Sequence, residues 1–386
     1  MRILVDSSPI IISKNHGIGN YAVNLLRELL MIDKENEYYV LDCKDNGILG
    51  EGINNLCFIP FQWDRAIEAE YSNRINIVAS KINPDVFYTP NAINLKYPIL
   101  DKDIVNGALL CGTVHDIIPY VLKEIYFPGD SGLDRFMSYC RGLKGYDLLF
   151  ANSETTKQDV CREFGCNNIV NIQMGPNRNQ FREDCIDKIW SVFRQNKGIR
   201  DGYLLGVLGT GANKNLIRII KAYCDACDQH GVGSQFVITA ALDSFGESVI
   251  RDSLSYLRKY LSDGRIIFTG YVTDEEMEAL YQHAKWCIFP TLYEGFGMPV
   301  VEAWNHGVPV MTSNNSSLDE IAHGSAVQVD PFDVRSISEG FTRIFNMSEK
   351  ERQAYISAGV ERAKRFSWEK TARLFLKEIN NYCMRN

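Results

Sequence analysis

The chain has 386 residues, of which 45% are hydrophobic and 23% are charged, and its formal net charge is −7. This composition is typical of a globular protein of two or three domains and excludes disordered, collagen-like and coiled-coil chains. The acidic balance argues against a nucleic-acid partner. No run approaches the ~20 apolar residues of a membrane span, and residues 1–6 do not resemble a secretory signal, so we expect a cytoplasmic protein with reduced cysteines.

Short apolar runs alternate with amphipathic stretches along the first half of the chain, a pattern typical of βαβ units with parallel strands. The predicted strands span residues 2–5, 38–41, 57–60, 86–88, 108–114, 148–151 and 169–174. The predicted helices between them span residues 20–31, 66–81 and 154–164.

The polar stretch 175–201 interrupts this rhythm, and a second series of strands follows it. These strands are predicted at 203–208, 235–239, 265–269, 286–290, 309–312 and 326–329. We therefore predict an α/β fold with two Rossmann-like, doubly wound domains that face a cleft, residues 1–190 and 191–366. Residues 367–386 form a last helix that is expected to cross back to the first domain.

The strongest chemical signal follows the fourth strand of the second series. Glu294 opens a loop that contains Gly295 and Gly297, and Pro299 suits the first turn of a following helix. The free amides at a helix start bind anionic groups such as a diphosphate, and the glycines let the backbone approach a ligand. Glu302 lies one turn into the helix, so the two acids can meet one ligand from different sides. A helix-start acid favoured by the dipole would explain Glu302 alone.

A second glycine-rich turn, at residues 209–215, follows the strand predicted at 203–208. A lysine beside a helix start, Lys214, suits a phosphate group, although a solvated lysine is the simpler alternative. In the first half, Gly17 and Gly19 follow strand one but lack the third glycine of a dinucleotide-binding fingerprint.

His115 ends the strand predicted at 108–114, where a histidine is either a core residue or a ligand-binding one. Its neighbour Asp116 either orients His115 or belongs to an acceptor side. Arg135 and Arg141, near a predicted helix over 133–143, either contact an anionic or lipid-phosphate acceptor at a membrane surface or form a solvated helix face.

One cysteine pair, Cys224 and Cys227, has the spacing of a metal-binding motif, but it lies within a predicted helix over 216–229. Cys161 and Cys166 are spaced too widely to complete such a site. We therefore expect ordinary helix packing for these cysteines and no metal centre.

The segments described above closely resemble glycosyltransferase family 4, whose members are retaining enzymes of the two-Rossmann GT-B fold that use nucleotide sugars. The resemblance is carried by residues 289–304 and 307–310, and it extends to 270–274, 313–320 and 366–368. It implies that residues 1–190 form the acceptor side and residues 191–366 bind the nucleotide sugar.

The resemblance also implies a role for each motif residue. Glu294 binds sugar hydroxyls, Glu302 binds the nucleotide ribose, and Lys214 stabilises the departing diphosphate, with His115 beside the reacting sugar. Asn213 stands where many relatives have an arginine. The remaining donor-binding residues implied by the family are Gly17, Gly19, Gly211, Gly295, Phe296, Gly297, Met298, Pro299 and Val300. Asp116, Arg135 and Arg141 are the candidates for the acceptor side.

The predicted function is transfer of a sugar, mannose or a similar hexose, from a nucleoside diphosphate sugar to a hydroxyl of a growing glycan or glycolipid in cell-surface polysaccharide synthesis. No cofactor or metal ion is expected, since Lys214 and helix-start amides provide the positive charge. The protein is either free in the cytoplasm or in peripheral contact with the inner face of a membrane. A nucleotide-sugar epimerase of the same fold is the alternative. A nicotinamide oxidoreductase would need the missing third glycine, and a silent binding protein would not need the retained motif residues.

Overall fold

Two parallel β-sheets organise the chain in its computed structural model. The structure describes every residue except 9, 11–16, 42–48, 50–52, 62–69, 178–180, 231–232, 241–256 and 386. One compact unit contains Met1–Asn177 and Phe366–Asn386, and the other contains Arg178–Arg365. Each unit has helices around its own sheet, so the predicted α/β class is confirmed.

The first unit contains a seven-stranded sheet in the order β3-β2-β1-β4-β5-β6-β7. Its strands are β1 Arg2–Val5, β2 Glu37–Leu41, β3 Leu56–Ile59, β4 Val86–Thr89, β5 Leu109–Val114, β6 Leu148–Ala151 and β7 Ile169–Asn171. Its helices before the second unit are α1 Gly17–Ile32, α2 Tyr71–Ile82, α3 Ile118–Val121, α4 Lys123–Tyr126, α5 Leu133–Gly142 and α6 Glu154–Phe164. The strand order reverses between β1 and β4, as expected for a doubly wound sheet.

The observed strands and helices of this unit differ from the predicted ones mainly at their ends. The strand predicted at 169–174 ends at Asn171, whose side-chain oxygen accepts a hydrogen bond from Gln173 N at 2.9 Å. Residues 66–69 of the helix predicted at 66–81 lie outside the described residues, and the remainder forms α2. Ser153 caps α6, because its hydroxyl oxygen accepts a hydrogen bond from Thr156 N at 3.0 Å.

The second unit contains a six-stranded sheet in the order β10-β9-β8-β11-β12-β13. Its strands are β8 Leu204–Gly206, β9 Phe236–Ile238, β10 Ile266–Phe268, β11 Trp286–Phe289, β12 Val310–Ser313 and β13 Val327–Val329. Its helices are α7 Glu183–Lys197, α8 Leu216–His230, α9 Leu257–Ser262, α10 Asp274–His283, α11 Met298–Asn305, α12 Ser316–Ala322, α13 Val334–Asn346 and α14 Glu349–Ala363.

The residue-190 boundary suggested by the sequence falls inside α7, whereas the structure divides the chain between Asn177 and Arg178. Helix α7 packs within the second unit, where Trp190 stacks on the His283 ring with centroids 4.4 Å apart. A polar, amphipathic helix of this kind resembles a linker in sequence because only one narrow stripe of it is buried.

The last helix, α15 Trp368–Arg385, belongs to the first unit, as predicted. Trp368 donates its indole N–H to Pro176 O at 2.7 Å, and Phe375 packs against Tyr88 and Phe150 with both ring-centroid distances at 4.7 Å. The aromatic side chains therefore attach this helix to the sheet that begins the chain. Across the described residues, no helix combines the length and the hydropathy that crossing a membrane requires.

Candidate functional site

The candidate site of the second unit lies at the point where its strand order reverses. β8 and β11 are neighbours in the sheet but far apart in sequence. Ligands of doubly wound sheets bind at the carboxyl ends of such strands, because the connecting helices leave in opposite directions and open a crevice. The loops after β8 and β11 carry Lys214 and Glu294, so the topology brings the two strongest sequence signals to one place.

Lys214 and Glu294 form an ion pair, with Lys214 Nζ 2.8 Å from Glu294 Oε1. The same carboxylate oxygen accepts a hydrogen bond from Asn213 Nδ2 at 3.3 Å. The side chain of Glu294 is 11% exposed and that of Lys214 is 29% exposed. The pair therefore keeps its charge at the edge of the solvent, where an anionic ligand can reach the ammonium group.

Asn213 is a buried residue that fastens this loop to the next one. Its Nδ2 also lies 3.1 Å from Tyr293 O, and its own carbonyl accepts a hydrogen bond from Leu292 N at 2.8 Å. An arginine at this position would bring a second positive charge, whereas this asparagine holds Glu294. With asparagine in place of arginine, the loop has one positive charge fewer, and the Asn213 amide instead holds the Glu294 carboxylate.

Asn215 makes the turn between this loop and α8. Its φ is 61°, a left-handed conformation that asparagine tolerates better than most residues. Its Nδ2 donates to Pro290 O at 3.0 Å and to Pro331 O at 2.7 Å. One buried side chain therefore joins three loops at the carboxyl edge of the sheet.

The loop after Glu294 makes a close turn into α11. Gly297 has a φ of 111°, and a Cβ on it would lie 2.4 Å from Leu318 Cδ2. Both facts require glycine, the first because other residues are strained at this φ and the second because the neighbouring side chain occupies the space. Helix α11 begins at Met298 with Pro299 in its first turn, as the sequence predicts.

Two serines that the sequence analysis did not select support this loop. Ser317 Oγ lies 2.8 Å from Glu294 O and 2.7 Å from Phe296 O, and Ser316 Oγ accepts a hydrogen bond from Glu294 N at 3.3 Å. Both begin α12, within the 313–320 segment whose resemblance to the family was already evident. Two adjacent serines beside a helix start are the sequence signal that could have identified these residues.

Glu302 is half-buried on α11 and has its own set of partners. Tyr281 donates its hydroxyl to Glu302 Oε2 at 2.9 Å, and the Tyr281 ring stacks on the ring of His306. The Nδ1 atom of His306 contacts Glu302 O at 2.7 Å, and its Nε2 atom contacts Glu278 Oε1 at 2.8 Å. The sequence analysis missed Tyr281 and His306, because no local pattern links them to Glu302.

His115, in the first unit, follows β5. Its Nε2 lies 2.7 Å from Pro90 O, and because a carbonyl only accepts, this nitrogen carries the proton. Burial lowers the pKa of His115 to about 4, so the ring is neutral at physiological pH. The Tyr21 ring packs against it edge-on, with centroids 4.8 Å apart. His115 is therefore a rigid, uncharged group at the carboxyl edge of this sheet.

Residues 193–362 match the family model described as glycosyl transferases group 1. The matched residues lie within the second unit. The serotype-specific mannosyltransferase WbdA of Escherichia coli is 26% identical over 309 residues, which are 78% of this chain and 37% of WbdA. The O-antigen chain mannosyltransferase B of Escherichia coli is 26% identical over 259 residues, 67% of this chain and 66% of that protein. The chain thus spans little more than a third of WbdA.

Solved structures of low sequence identity share the fold over the whole chain. Sucrose-phosphate synthase from Thermosynechococcus elongatus has a TM-score of 0.75 at 16% identity and covers 100% of both chains. Anabaena HepE, solved in complex with UDP and glucose, has a TM-score of 0.67 at 16% identity over 99% of this chain. These matches confirm the predicted fold of two Rossmann-like units.

In the first unit, the predicted helix start at residue 20 needs a correction. The helix expected at 20–31 begins at Gly17, so Gly17 and Gly19 lie in the first turn of α1 rather than in a loop. His16, directly before Gly17, lies outside the described residues.

The candidate acceptor residues take different places in the first unit. Asp116 Oδ1 accepts a hydrogen bond from Ile118 N at 2.9 Å, so this carboxylate closes a turn directly before the short helix α3. Arg135 donates from Nη2 to Leu95 O at 2.8 Å, which fixes a loop rather than presenting the whole guanidinium outward. Arg141, also on α5, is exposed.

In the second unit, Cys224 and Cys227 are buried on α8, as the packing interpretation predicts. Burial raises the pKa of the Cys224 thiol to about 12. The first unit contains one Asp-x-Asp sequence, Asp101 to Asp103, in the turn before β5, and Asp101 Oδ1 accepts a hydrogen bond from Ile104 N at 2.9 Å. Over the described ranges, no group of three or more His, Cys, Asp or Glu side chains could hold a metal ion.

Proposed function

We propose that this chain is a retaining glycosyltransferase that moves a hexose from a nucleoside diphosphate sugar to a hydroxyl of a growing cell-surface glycan. The observation that carries the proposal is the Lys214–Glu294 pair, 2.8 Å long, at the strand-order reversal of a glycosyl transferases group 1 unit. A sugar joined to a diphosphate needs a cation for its phosphates and a carboxylate for its hydroxyls, and this pair supplies both side by side.

The two charges divide the donor between them. Lys214 meets the diphosphate together with the amides at the start of α11, whose positive dipole end favours an anion. The Glu294 carboxylate accepts hydrogen bonds from sugar hydroxyls, and charge makes these bonds stronger than those to a neutral acceptor. Donor binding therefore replaces the Lys214–Glu294 contact with two separate contacts to one ligand.

The chemical step follows from these positions. Bond breaking between the sugar and the diphosphate places negative charge on the leaving phosphate, and Lys214 is positioned to stabilise that charge as it grows. The acceptor hydroxyl attacks from the face that the phosphate leaves, and the phosphate takes its proton, which gives retention. His115, neutral and protonated on Nε2, has Nδ1 as an acceptor for a sugar hydroxyl.

The transfer proposed here uses no metal ion, because Lys214 and the helix amides carry out the charge neutralisation that a divalent cation would otherwise supply. The sugar proposed is mannose, since both Escherichia coli relatives are named as mannosyltransferases. The acceptor proposed is a glycan or a lipid-linked glycan, with the exposed Arg141 as a contact for its phosphate at a membrane surface.

A binding panel tests this function first. Isothermal titration with GDP, UDP, ADP and dTDP should give one preferred nucleotide. Lys214→Ala should weaken that binding without abolishing it, while Lys350→Ala, at an exposed lysine on α14, should leave it unchanged. GDP-mannose is then offered with and without a mannose-terminated oligosaccharide. Transfer only in the presence of the acceptor supports the proposal. Conversion of the donor without any acceptor would instead establish the epimerase, and no nucleotide binding at all would overturn both.

A further inference from the structure

A buried tyrosine contacts the outer end of Glu302. Tyr281, on α10, is 2% exposed and donates its hydroxyl to Glu302 Oε2 at 2.9 Å. Burial raises the pKa of Tyr281 well above its usual value, and the charge of Glu302 adds to this effect. The hydroxyl therefore stays protonated at physiological pH and donates to the carboxylate.

The ring of the same tyrosine is held as firmly as its hydroxyl. It stacks on His306, with centroids 5.2 Å apart and an interplanar angle of 13°. His306 is in turn held at both nitrogens, by Glu302 O at 2.7 Å and by Glu278 Oε1 at 2.8 Å. Glu278 and Tyr281 are three residues apart on α10 and so share one face of that helix. The arrangement leaves the Tyr281 hydroxyl little freedom to move.

We infer that Tyr281 is a positioning residue that fixes the Glu302 carboxylate for the ribose hydroxyls of the nucleotide. The inference rests on the proposed function and on the ribose-binding role that the family resemblance implies for Glu302. A glutamate side chain has three rotatable bonds, and without an internal donor the binding of ribose would have to order them. The Tyr281 hydroxyl removes that ordering cost before the nucleotide arrives.

The contact lies at the ribose end of the donor, away from the bond that breaks. Ribose hydroxyls hardly change during transfer, so interactions there have the same strength in the ground state and the transition state. Loss of the Tyr281 hydroxyl should therefore weaken donor binding and leave the chemical step unchanged. A tyrosine that only packed the interior would lower stability without this separation.

The experiment compares Tyr281→Phe with a matched control. Phenylalanine keeps the ring and its stacking and removes only the hydroxyl. Hydrogen bonds to charged groups are among the strong ones, so the donor KM and the Kd for the preferred nucleoside diphosphate should rise about tenfold, with kcat within about twofold of wild type. Tyr223→Phe is the control, because Tyr223 is also fully buried in this unit and donates its hydroxyl to Ser234 O at 2.8 Å. Its KM and Kd should stay at wild-type values.

A double-mutant cycle separates positioning from packing. On a Glu302→Ala background, Tyr281→Phe should add less than about twofold to the nucleotide Kd, because the group it positions is gone. An additive tenfold effect would overturn the inference. If Tyr281→Phe fails to fold, His306→Ala, which removes the stacking partner, replaces it in the same cycle, and an unchanged Kd there would also overturn the inference. Wild-type and Glu302→Ala binding test the proposed function separately, since a strong nucleotide complex that needs Glu302 but not Tyr281 leaves that function intact.

Discussion

Gly297→Ala should be among the most damaging single-methyl additions in the second unit. At a φ of 111°, an L-residue is strained, at a cost of about 1–2 kcal/mol. The new Cβ would also lie 2.4 Å from Leu318 Cδ2, and overpacking of this kind costs about 1–3 kcal/mol. The free energy of unfolding should therefore fall by roughly 2–5 kcal/mol, a large part of the ~5–15 kcal/mol that stabilises a typical domain.

Thermal unfolding measures this loss directly. For a unit of this size, each kcal/mol shifts the Tm by about 2–4 °C, so Gly297→Ala should lower the Tm by at least about 4 °C. Gly324→Ala is the matched control, because Gly324 has a φ of 81° but no atom within 4 Å of its Cβ position. The control should show only the backbone cost, about 1–2 kcal/mol.

A cycle with Leu318→Ala isolates the collision. Truncating Leu318 is itself destabilising because the side chain is fully buried, but it makes room for the new Cβ. The double variant should therefore be more stable than the sum of the two single effects by about 1–3 kcal/mol. Equal Tm values for Gly297→Ala and Gly324→Ala, together with additivity in the cycle, would refute the reasoning.

Four further predictions concern the chemistry of the site. Lys214→Ala should lower kcat by roughly 10²–10³, as for other groups that stabilise growing charge, and a change confined to the donor KM would assign the lysine to binding alone. Steady-state kinetics should show Glu302→Ala raising the donor KM and Glu294→Ala lowering kcat, and the opposite split would reverse their roles. Burial lowers the pKa of His115 to about 4, so as the pH falls the unfolded state binds a proton before the folded state does. The free energy of unfolding should therefore fall between pH 6.5 and pH 4 by up to about 1.4 kcal/mol per pH unit. In denaturation measured at several pH values, His115→Gln should flatten that slope. Enzyme treated with a chelator should keep most of its activity, and a loss above about tenfold that Mn²⁺ restores would contradict the metal-independent mechanism.

The errors of the sequence analysis lie where local pattern and tertiary environment disagree. Residues 17–19 were predicted to precede a helix over 20–31, yet they form the first turn of that helix, which begins at Gly17. The domain boundary was predicted near residue 190 because α7 is polar on most of its surface. Only the contacts of α7 within the second unit show to which unit this helix belongs. In each case the local hydrophobic pattern was too weak to show where the helix begins or which unit it belongs to.

The sequence alone determined the elements and the motif around Glu294. Strand and helix periods are local, and the signals for a helix start at Met298 lie within a few residues of one another, so both could be recognised without a structure. Tertiary structure decided the partners. Lys214 and Glu294 are 80 residues apart, and Tyr281 and Glu302 are 21 apart. Their contacts depend on which strands become neighbours and on how helices pack across the sheet, and that order is set by the burial of the whole core rather than by any short segment.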